Sequence, residues 1–197
     1  MTDGLTSRDE RAHWEARYAD AGDARDRVPS PWVIDRALAL PAHTLFVDVA
    51  GGTGRHAIPL ATAGRRVVVM DFIARAVRIA MRYGGILGVV ADASAVPIRP
   101  GSVGAIICVN FLDRSIFPAF AEMLAPGGVL LYETFTIAHL DLVARGRAHG
   151  PRNPAYLLRP NEVLGLVGPL LVQEHAEATV VDAVGERSVA RVMAVKR

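Results

Sequence analysis

Short apolar runs alternate with longer amphipathic segments along the chain from Thr44 onward. Runs of this kind that are rich in valine and isoleucine predict β-strands. Five strands are predicted in this part of the chain, at Leu45–Val49, Arg66–Met70, Ile86–Ala91, Gly104–Val109 and Val129–Thr134. Because these runs are apolar without a break, they are typical of a parallel sheet that is covered on both faces.

The segments between these strands have the length of helices, about 10 to 15 residues. One predicted helix begins at Gly54, a second ends at Tyr83 and a third spans Ile116–Leu124. This alternation indicates strand–helix–strand units that wind on both sides of one sheet.

Near the C-terminus the pattern changes to two strands, Leu170–Val181 and Ser188–Val195, which are joined by a tight glycine-containing turn around Val184–Glu186. We therefore predict an α/β fold in which a doubly wound, mostly parallel seven-stranded sheet ends in an antiparallel hairpin. Ala138–Pro160 is long for a connection between strands and is rich in Arg, Gly, His and Pro, so it is a candidate substrate lid.

The first part of the chain is more polar and precedes the sheet pattern. A short helix is predicted over Ser7–Ala19, a loop over Asp20–Pro31 and a second helix over Pro31–Leu40, which Pro41 ends. We therefore expect an N-terminal helical cap at residues 1–43 and the main domain at residues 44–197.

Composition narrows the class of protein further. A chain of 197 residues with 51% hydrophobic residues has enough material for one packed domain. The formal net charge of +2 is too small to indicate a nucleic-acid partner. A single cysteine, Cys108, and the lack of a signal-like or membrane-spanning segment predict a cytoplasmic protein without a disulfide framework or membrane contact.

A glycine-rich turn directly follows the first predicted strand, in the stretch Asp48–Gly54. The glycines at 51, 52 and 54 allow a sharp turn and let the backbone approach a ligand closely. The alternative is a turn that packing alone requires.

Acidic residues end the next two strands. Asp71 follows the second strand, at the position where a carboxylate accepts hydrogen bonds from a ribose diol in related folds, and Asp92 follows the third. Phe72 is a candidate for contact with a flat base, although an aromatic residue that begins a helix is equally typical of a core. The carboxyl ends of parallel strands meet at one edge of a sheet, which is where such folds bind ligands.

The order of these motifs resembles that of the class I S-adenosylmethionine-dependent methyltransferases. The matching segments are Asp48–Gly54, Asp71, Asp92–Pro97, Arg99–Ile107 and Leu124–Leu130. The resemblance implies S-adenosyl-L-methionine as cofactor, with contacts from Asp48, Ala50, Gly51, Gly52, Gly54, Asp71, Phe72, Asp92, Ala93 and Asn110. Ala50 departs from the family, which has glycine there, and we expect the loop to tolerate the added methyl group at ordinary backbone angles.

A nicotinamide dehydrogenase is the nearest alternative in fold. Its G-x-G-x-x-G spacing is imperfect here, because Ala50 stands at the first position and Ala57 at the last. The C-terminal hairpin and the Pro-Gly-Gly turn before the fifth strand favour the methyltransferase.

On the substrate side, Asn110 ends the fourth strand and is the leading candidate for contact with the reacting groups, the alternative being a turn cap. Trp14 and Tyr18 lie in a segment that is similar to an aromatic helix covering the active site in small-molecule methyltransferases of the tellurite-resistance and thiol-methylating type. The alternative is a helix that these rings merely pack onto the sheet. Arg114 is a candidate for attracting an anion, and the alternative is that it is a solvated residue of a loop.

Three histidines, His56, His139 and His149, are more typical of structural or solvated positions and predict no metal site. Asn153–Tyr156 is similar to a motif of amino-group methyltransferases, but it falls after the fifth strand instead of the fourth.

The predicted function is methyl transfer to a small-molecule acceptor by a monomer or homodimer. The alternatives are a nucleic-acid methyltransferase that uses Arg145–Arg159, and a non-catalytic module that binds S-adenosylmethionine.

Overall fold

The computed structural model describes residues 7–19, 28–93, 95–182 and 185–197. Its centre is one seven-stranded sheet with the order β3-β2-β1-β4-β5-β7-β6. The strands are β1 (Leu45–Val49), β2 (Arg66–Asp71), β3 (Ile86–Val90), β4 (Val103–Val109), β5 (Leu124–Phe135), β6 (Leu171–Asp182) and β7 (Gly185–Val195).

Strands β1 to β5 run parallel to one another, and β7 pairs antiparallel with both β5 and β6. The predicted fold class is therefore confirmed, including the C-terminal hairpin. Val184, at the centre of the predicted turn, lies outside the described residues.

Seven α-helices surround the sheet in the described part of the chain. They are α1 (Ser7–Ala19), α2 (Pro31–Ala39), α3 (Ala57–Thr62), α4 (Ala74–Ala80), α5 (Phe117–Met123), α6 (His139–Ala144) and α7 (Glu162–Leu166). None of these helices is long and apolar enough to cross a membrane.

The sheet separates two apolar clusters. One contains Trp32 of α2 and Leu60 of α3 together with strand residues such as Phe46. The other contains Phe120 of α5 and Val163 of α7. Both faces of the central strands are thus buried, as their uninterrupted apolar pattern predicts.

Two boundaries differ from the predictions for reasons of backbone geometry. Helix α3 begins at Ala57 instead of Gly54, because Gly54 has a left-handed φ of 89° that a helix cannot contain. Strand β5 begins at Leu124, because Leu124 pairs with Val103 ahead of the turn at Gly127 and Gly128.

Helices α1 and α2 form as predicted and pack against the main domain. Helix α1 packs on α4, and α2 packs on α3 and β5. The predicted loop over Asp20–Pro31 lies outside the described residues as far as Arg27. The division into a cap at 1–43 and a domain at 44–197 stays a prediction.

Candidate functional site

A cleft opens at the carboxyl edge of the sheet, above β1 and β4. It is lined by Trp14 and Tyr18 of α1, by residues of the segment 48–56 and by Val109 and Asn110 at the end of β4. The topology explains the convergence, because β1 and β4 are adjacent parallel strands and their ends meet at the same edge.

The glycines of the loop after β1 are required by their surroundings. A Cβ on Gly51 would lie 2.7 Å from Cγ of Asp48 and 2.9 Å from its Oδ2. Gly52 has a φ of 57°, and a Cβ there would lie 2.6 Å from the hydroxyl oxygen of Tyr18. The backbone of the loop therefore lies directly against the side chains of Asp48 and Tyr18, which both line the cleft.

Ala50 corrects one expectation from the sequence. It has a φ of 51°, in the left-handed region, and lines the cleft. Ordinary backbone angles were expected at this position, but the turn that follows β1 requires a left-handed residue here. A side chain with a Cβ costs about 1 kcal/mol or more in this conformation, which explains why glycine suits the position.

Substituting Ala50 by glycine is expected to stabilise the protein by about 0.5 to 1 kcal/mol, because relief of the strained φ outweighs the greater freedom of glycine in the unfolded chain. Urea unfolding measures the change. Ala63→Gly, at the end of α3 and without a left-handed φ, is the control and should destabilise slightly. A loss of stability in Ala50→Gly would contradict the assigned backbone conformation.

Asp48 forms the floor of the cleft. Its side chain is 1% exposed, and its Oδ2 has no hydrogen-bond partner among the described residues. Burial raises its pKa to about 7, while the charge of Arg55 opposes the rise. A buried carboxylate oxygen without a donor is costly unless a ligand supplies one.

Asp71 is buried beside the loop and braces it. Its Oδ2 accepts a hydrogen bond from Gly52 N at 2.9 Å, and its Oδ1 accepts one from Ile73 N at 2.9 Å. Burial raises its pKa, and the hydrogen bonds from Ile73 and Gly52 oppose this. Asp71 is not among the residues that line the cleft.

Three further predicted cofactor residues, Phe72, Asp92 and Ala93, do not line the cleft. Phe72 is half-buried, and the guanidinium of Arg11 lies 5.2 Å from the centre of its ring. Asp92 is exposed, whereas Ala93 packs against the apolar cluster of α5 and α7. Ser94, which belongs to the same predicted motif, lies outside the described residues. These assignments stay predictions.

Asn110 presents an unpartnered amide oxygen to the cleft. It has a left-handed φ of 58°, and its backbone N donates to Glu133 O at 2.9 Å. Its Oδ1 is buried without a partner among the described residues, so Asn110 does not cap the turn. Asp113 does so instead, by accepting a hydrogen bond from Ser115 N at 2.8 Å.

Trp14 and Tyr18 stack on each other with their ring centres 5.9 Å apart, and both line the cleft. Tyr18 is 7% exposed and belongs to a small apolar cluster with Ile73 and Ala76 of the loop and helix after β2. The rings therefore pack α1 against the loop and helix after β2 and line the cleft beside Gly52. That they cover an active site stays a prediction.

His56 was predicted to be structural or solvated; it is 3% exposed and also lines the cleft. Its Nε2 accepts a hydrogen bond from Ser30 N at 3.1 Å. Burial lowers its pKa well below the usual value, and the charges of Arg55 and Arg187 lower it further. Its position directly after the glycine loop is the signal in the sequence that marks it.

Two other polar candidates have structural roles. Arg114 binds the carboxylate of Glu162 with its Nε at 2.6 Å and the carbonyl oxygens of Ala155 and Leu157. Asn153 caps a short turn by accepting a hydrogen bond from Ala155 N at 3.0 Å. Residues 138–160 contribute no side chain to the cleft, and their function as a lid stays a prediction.

Comparison with known proteins agrees with this architecture. Residues 46–128 match the family model of a methyltransferase domain. Demethylmenaquinone methyltransferase of Renibacterium salmoninarum is 34% identical over 111 residues, which are 53% of this chain and 46% of that protein. The chain thus spans less than half the length of this curated relative.

Two solved structures share the fold. A S-adenosylmethionine-dependent methyltransferase from Methanosarcina mazei has a TM-score of 0.68 at 19% identity, covering 86% of this chain and 99% of that chain. TehB from Haemophilus influenzae has a TM-score of 0.67 at 19% identity, covering 86% of this chain and 63% of that chain. Residues 46–128 thus match a methyltransferase domain, and the seven-stranded sheet has the fold of solved S-adenosylmethionine-dependent methyltransferases.

Proposed function

We propose that this chain binds S-adenosyl-L-methionine in the cleft and transfers its methyl group to a small molecule. The observation that carries the proposal is the pair of buried, unpartnered oxygens, Asp48 Oδ2 and Asn110 Oδ1, on residues that line one cleft together with the glycine loop. Both oxygens are acceptors, and buried acceptors of this kind are normally satisfied by a donor or a cation.

The residues present fit this cofactor. S-adenosylmethionine carries a cationic sulfonium, an ammonium group and a ribose diol, which supply positive charge and hydrogen-bond donors. Asp48 and Asn110 would bind the positively charged part of the cofactor, which contains the sulfonium and ammonium groups. Asp71 is the residue proposed for the ribose, because a carboxylate has about four acceptor positions and the backbone N–H groups of Gly52, Ile73 and Phe72 use three of them. Gly51 and Gly52 let the loop backbone lie directly against Asp48 and Tyr18, which line the same cleft.

The bound cofactor supplies an activated methyl carbon, and the protein must orient the acceptor in line with it and exclude water. Trp14 and Tyr18 cover the cleft from α1, while Val109 supplies an apolar wall. Asn110, fixed through its backbone hydrogen bond to β5, is proposed to position the reacting groups. An acceptor that is already anionic needs no general base.

A small acceptor is favoured over a macromolecule by the shape of the site. The cleft is covered by two stacked aromatic rings, and the curated relative from Renibacterium salmoninarum is named for a quinone. The Arg-rich segment 145–159, the candidate nucleic-acid contact, lies outside the cleft, and Arg147 is paired with Glu186 at 2.7 Å. A cytoplasmic location and a monomeric or homodimeric state are part of the same proposal.

The direct test is isothermal calorimetry with S-adenosylmethionine. Asp71→Ala is expected to weaken binding at least tenfold, because it removes the brace of the Gly52 N–H as well as the proposed ribose acceptor. It should also lower stability by about 2 kcal/mol. Asp35→Ala, on the exposed side of α2, is the matched control. Absence of binding in the unaltered protein would refute the proposal.

Turnover separates an enzyme from a binding module. Release of S-adenosylhomocysteine is measured with a panel containing a thiol, an inorganic oxyanion, a phenol and 1,4-dihydroxynaphthalene. Binding of the cofactor without turnover of any compound would favour the non-catalytic module. RNA affinity that falls steeply with added salt would favour the nucleic-acid alternative.

A further inference from the structure

His56 is held by an unusual partner, the backbone of the residue that caps α2. Ser30 donates its N–H to His56 Nε2 at 3.1 Å and its hydroxyl to Glu133 Oε2 at 2.7 Å, while its carbonyl accepts from Ile34 N at 3.1 Å. Every polar group of Ser30 is therefore engaged, and the imidazole cannot turn without breaking a buried hydrogen bond.

This contact decides where the imidazole proton lies. A ring nitrogen that accepts from a backbone N–H carries no proton, so the proton of the neutral ring is on Nδ1. The two ring nitrogens point in diverging directions, and the Nδ1–H is therefore directed away from Ser30. His56 makes no side-chain capping bond to its own helix.

The charges around the ring favour this neutral form. Arg55 and Arg187 both act on His56, and burial disfavours a third positive charge beside them. Glu133 is fully buried but is already engaged, because its Oε2 accepts from Arg191 Nε at 2.7 Å as well as from Ser30. His56 is therefore a hydrogen-bond donor at neutral pH.

The His56 ring lines the cleft on the side of β4 and β5. Through Ser30 it is tied to Glu133 of β5, and Glu133 pairs in register with Val109, which lines the cleft. The proposed ribose residue, Asp71, belongs to β2 on the other side of β1. The stacked rings of Trp14 and Tyr18 face the same cleft.

We propose that His56 binds the methyl acceptor, donating its Nδ1–H to an oxygen of a planar ring that lies against Trp14. The inference rests on the proposed function and names its substrate class, an aromatic or quinol ring that bears a hydroxyl or carbonyl oxygen. A protonated amine is excluded as the group at this position, because it offers no lone pair to an N–H donor.

Two substitutions separate the two ring nitrogens. His56→Gln places an amide oxygen near the position of Nε2 and keeps the contact with Ser30, but it loses the donor at Nδ1. His56→Asn places an amide nitrogen near the position of Nδ1 and loses the contact with Ser30. If His56 is only structural, His56→Asn should lose more affinity for the acceptor than His56→Gln does. If His56 binds the acceptor, His56→Gln should lose more.

The probe is 1,4-dihydroxynaphthalene, kept reduced under anaerobic conditions and titrated into the complex with S-adenosylhomocysteine. His56→Gln is expected to raise its Kd and its KM about tenfold, the loss of one hydrogen bond, with a smaller change in kcat. His56→Asn should stay within about threefold of the unaltered protein but unfold at a lower temperature. Equal Kd values in the two variants, or no binding of the probe to the unaltered complex, would overturn the inference.

The affinity for the cofactor product distinguishes failure of the His56 assignment from failure of the proposed function. Both variants should bind S-adenosylhomocysteine as the unaltered protein does. If His56→Gln instead weakens S-adenosylhomocysteine but not 5′-methylthioadenosine, the oxygen belongs to the carboxylate of the cofactor and the acceptor assignment is wrong. Long-range proton–nitrogen NMR spectra should show His56 protonated on Nδ1 alone at neutral pH, and the opposite tautomer would also overturn the inference.

Discussion

Replacing Gly51 by alanine is expected to reduce the affinity for S-adenosylmethionine at least a hundredfold. The added Cβ would lie 2.7 Å from Cγ of Asp48 and 2.9 Å from the backbone oxygen of the same residue. A carbon atom cannot be accommodated this close to a backbone oxygen, so either the carboxylate of Asp48 or the loop must move. Either movement displaces the unpartnered Oδ2 that the proposal assigns to the cofactor. Calorimetry with S-adenosylmethionine measures the loss.

Gly84→Ala is the matched control for this substitution. Gly84 is exposed, has nothing within 4 Å of the added Cβ and has no left-handed φ. It should therefore leave both cofactor affinity and thermal unfolding unchanged. If Gly51→Ala keeps the affinity of the unaltered protein, the loop does not form the cofactor site.

The second large effect is the pH dependence that Asp48 imposes. Burial raises its pKa from an ordinary 3.8 to about 7 in the folded protein. Between these values the folded protein holds a proton that the unfolded chain releases, so stability falls as the pH rises from about 4 to 7. This rise in the pKa of Asp48 corresponds to a change on the order of 4 kcal/mol in the free energy of unfolding.

Cofactor binding is expected to follow the opposite trend. The positive groups of S-adenosylmethionine favour ionised Asp48, so affinity should rise as the pH rises and should level off above about 7. Below that value the loss approaches about tenfold per pH unit, as for any ligand that requires one deprotonated group.

Asp48→Asn is neutral at every pH and keeps an oxygen that can accept from the helix after the loop. Its stability and its cofactor affinity should both lose the pH dependence, and its affinity above pH 7 should be lower than that of the unaltered protein. Urea unfolding and calorimetry from about pH 5 to 8.5 cover the expected transition. An unchanged pH profile in Asp48→Asn would show that another group titrates.

Much of the fold was predictable because the strands are buried on both faces. Leu45–Val49 was predicted with the bounds that the structure shows, and the other strands of the parallel core differ mainly at their ends. The largest error, the start of β5, arises because Leu124 pairs with Val103 before a turn that contains proline and two glycines. A pairing of this kind depends on the neighbouring strand, which local pattern does not contain.

The candidate site was predictable only in part. The glycine loop and the residues at the ends of the strands are local signals, since a turn and a strand end each leave a recognisable pattern. The hydrogen bonds and the pKa values of the groups at the cleft depend on residues that are distant in the chain. Asp71 braces Gly52 from 19 positions away, and the raised pKa of Asp48 comes chiefly from burial.

By itself the sequence determined the seven-stranded α/β fold, the glycine loop after β1 and the resemblance to methyltransferases, because these depend on periodicity and on motifs that are contiguous in the chain. Only the tertiary structure decided the left-handed conformation of Ala50, the unpartnered oxygens of Asp48 and Asn110 and the contacts of His56. Ser30 lies 26 positions from His56 and 103 from Glu133, and the packing of α2 on α3 and β5 brings these three residues together. Contacts at such separations are set by strand order and packing, so no local pattern in the chain records them.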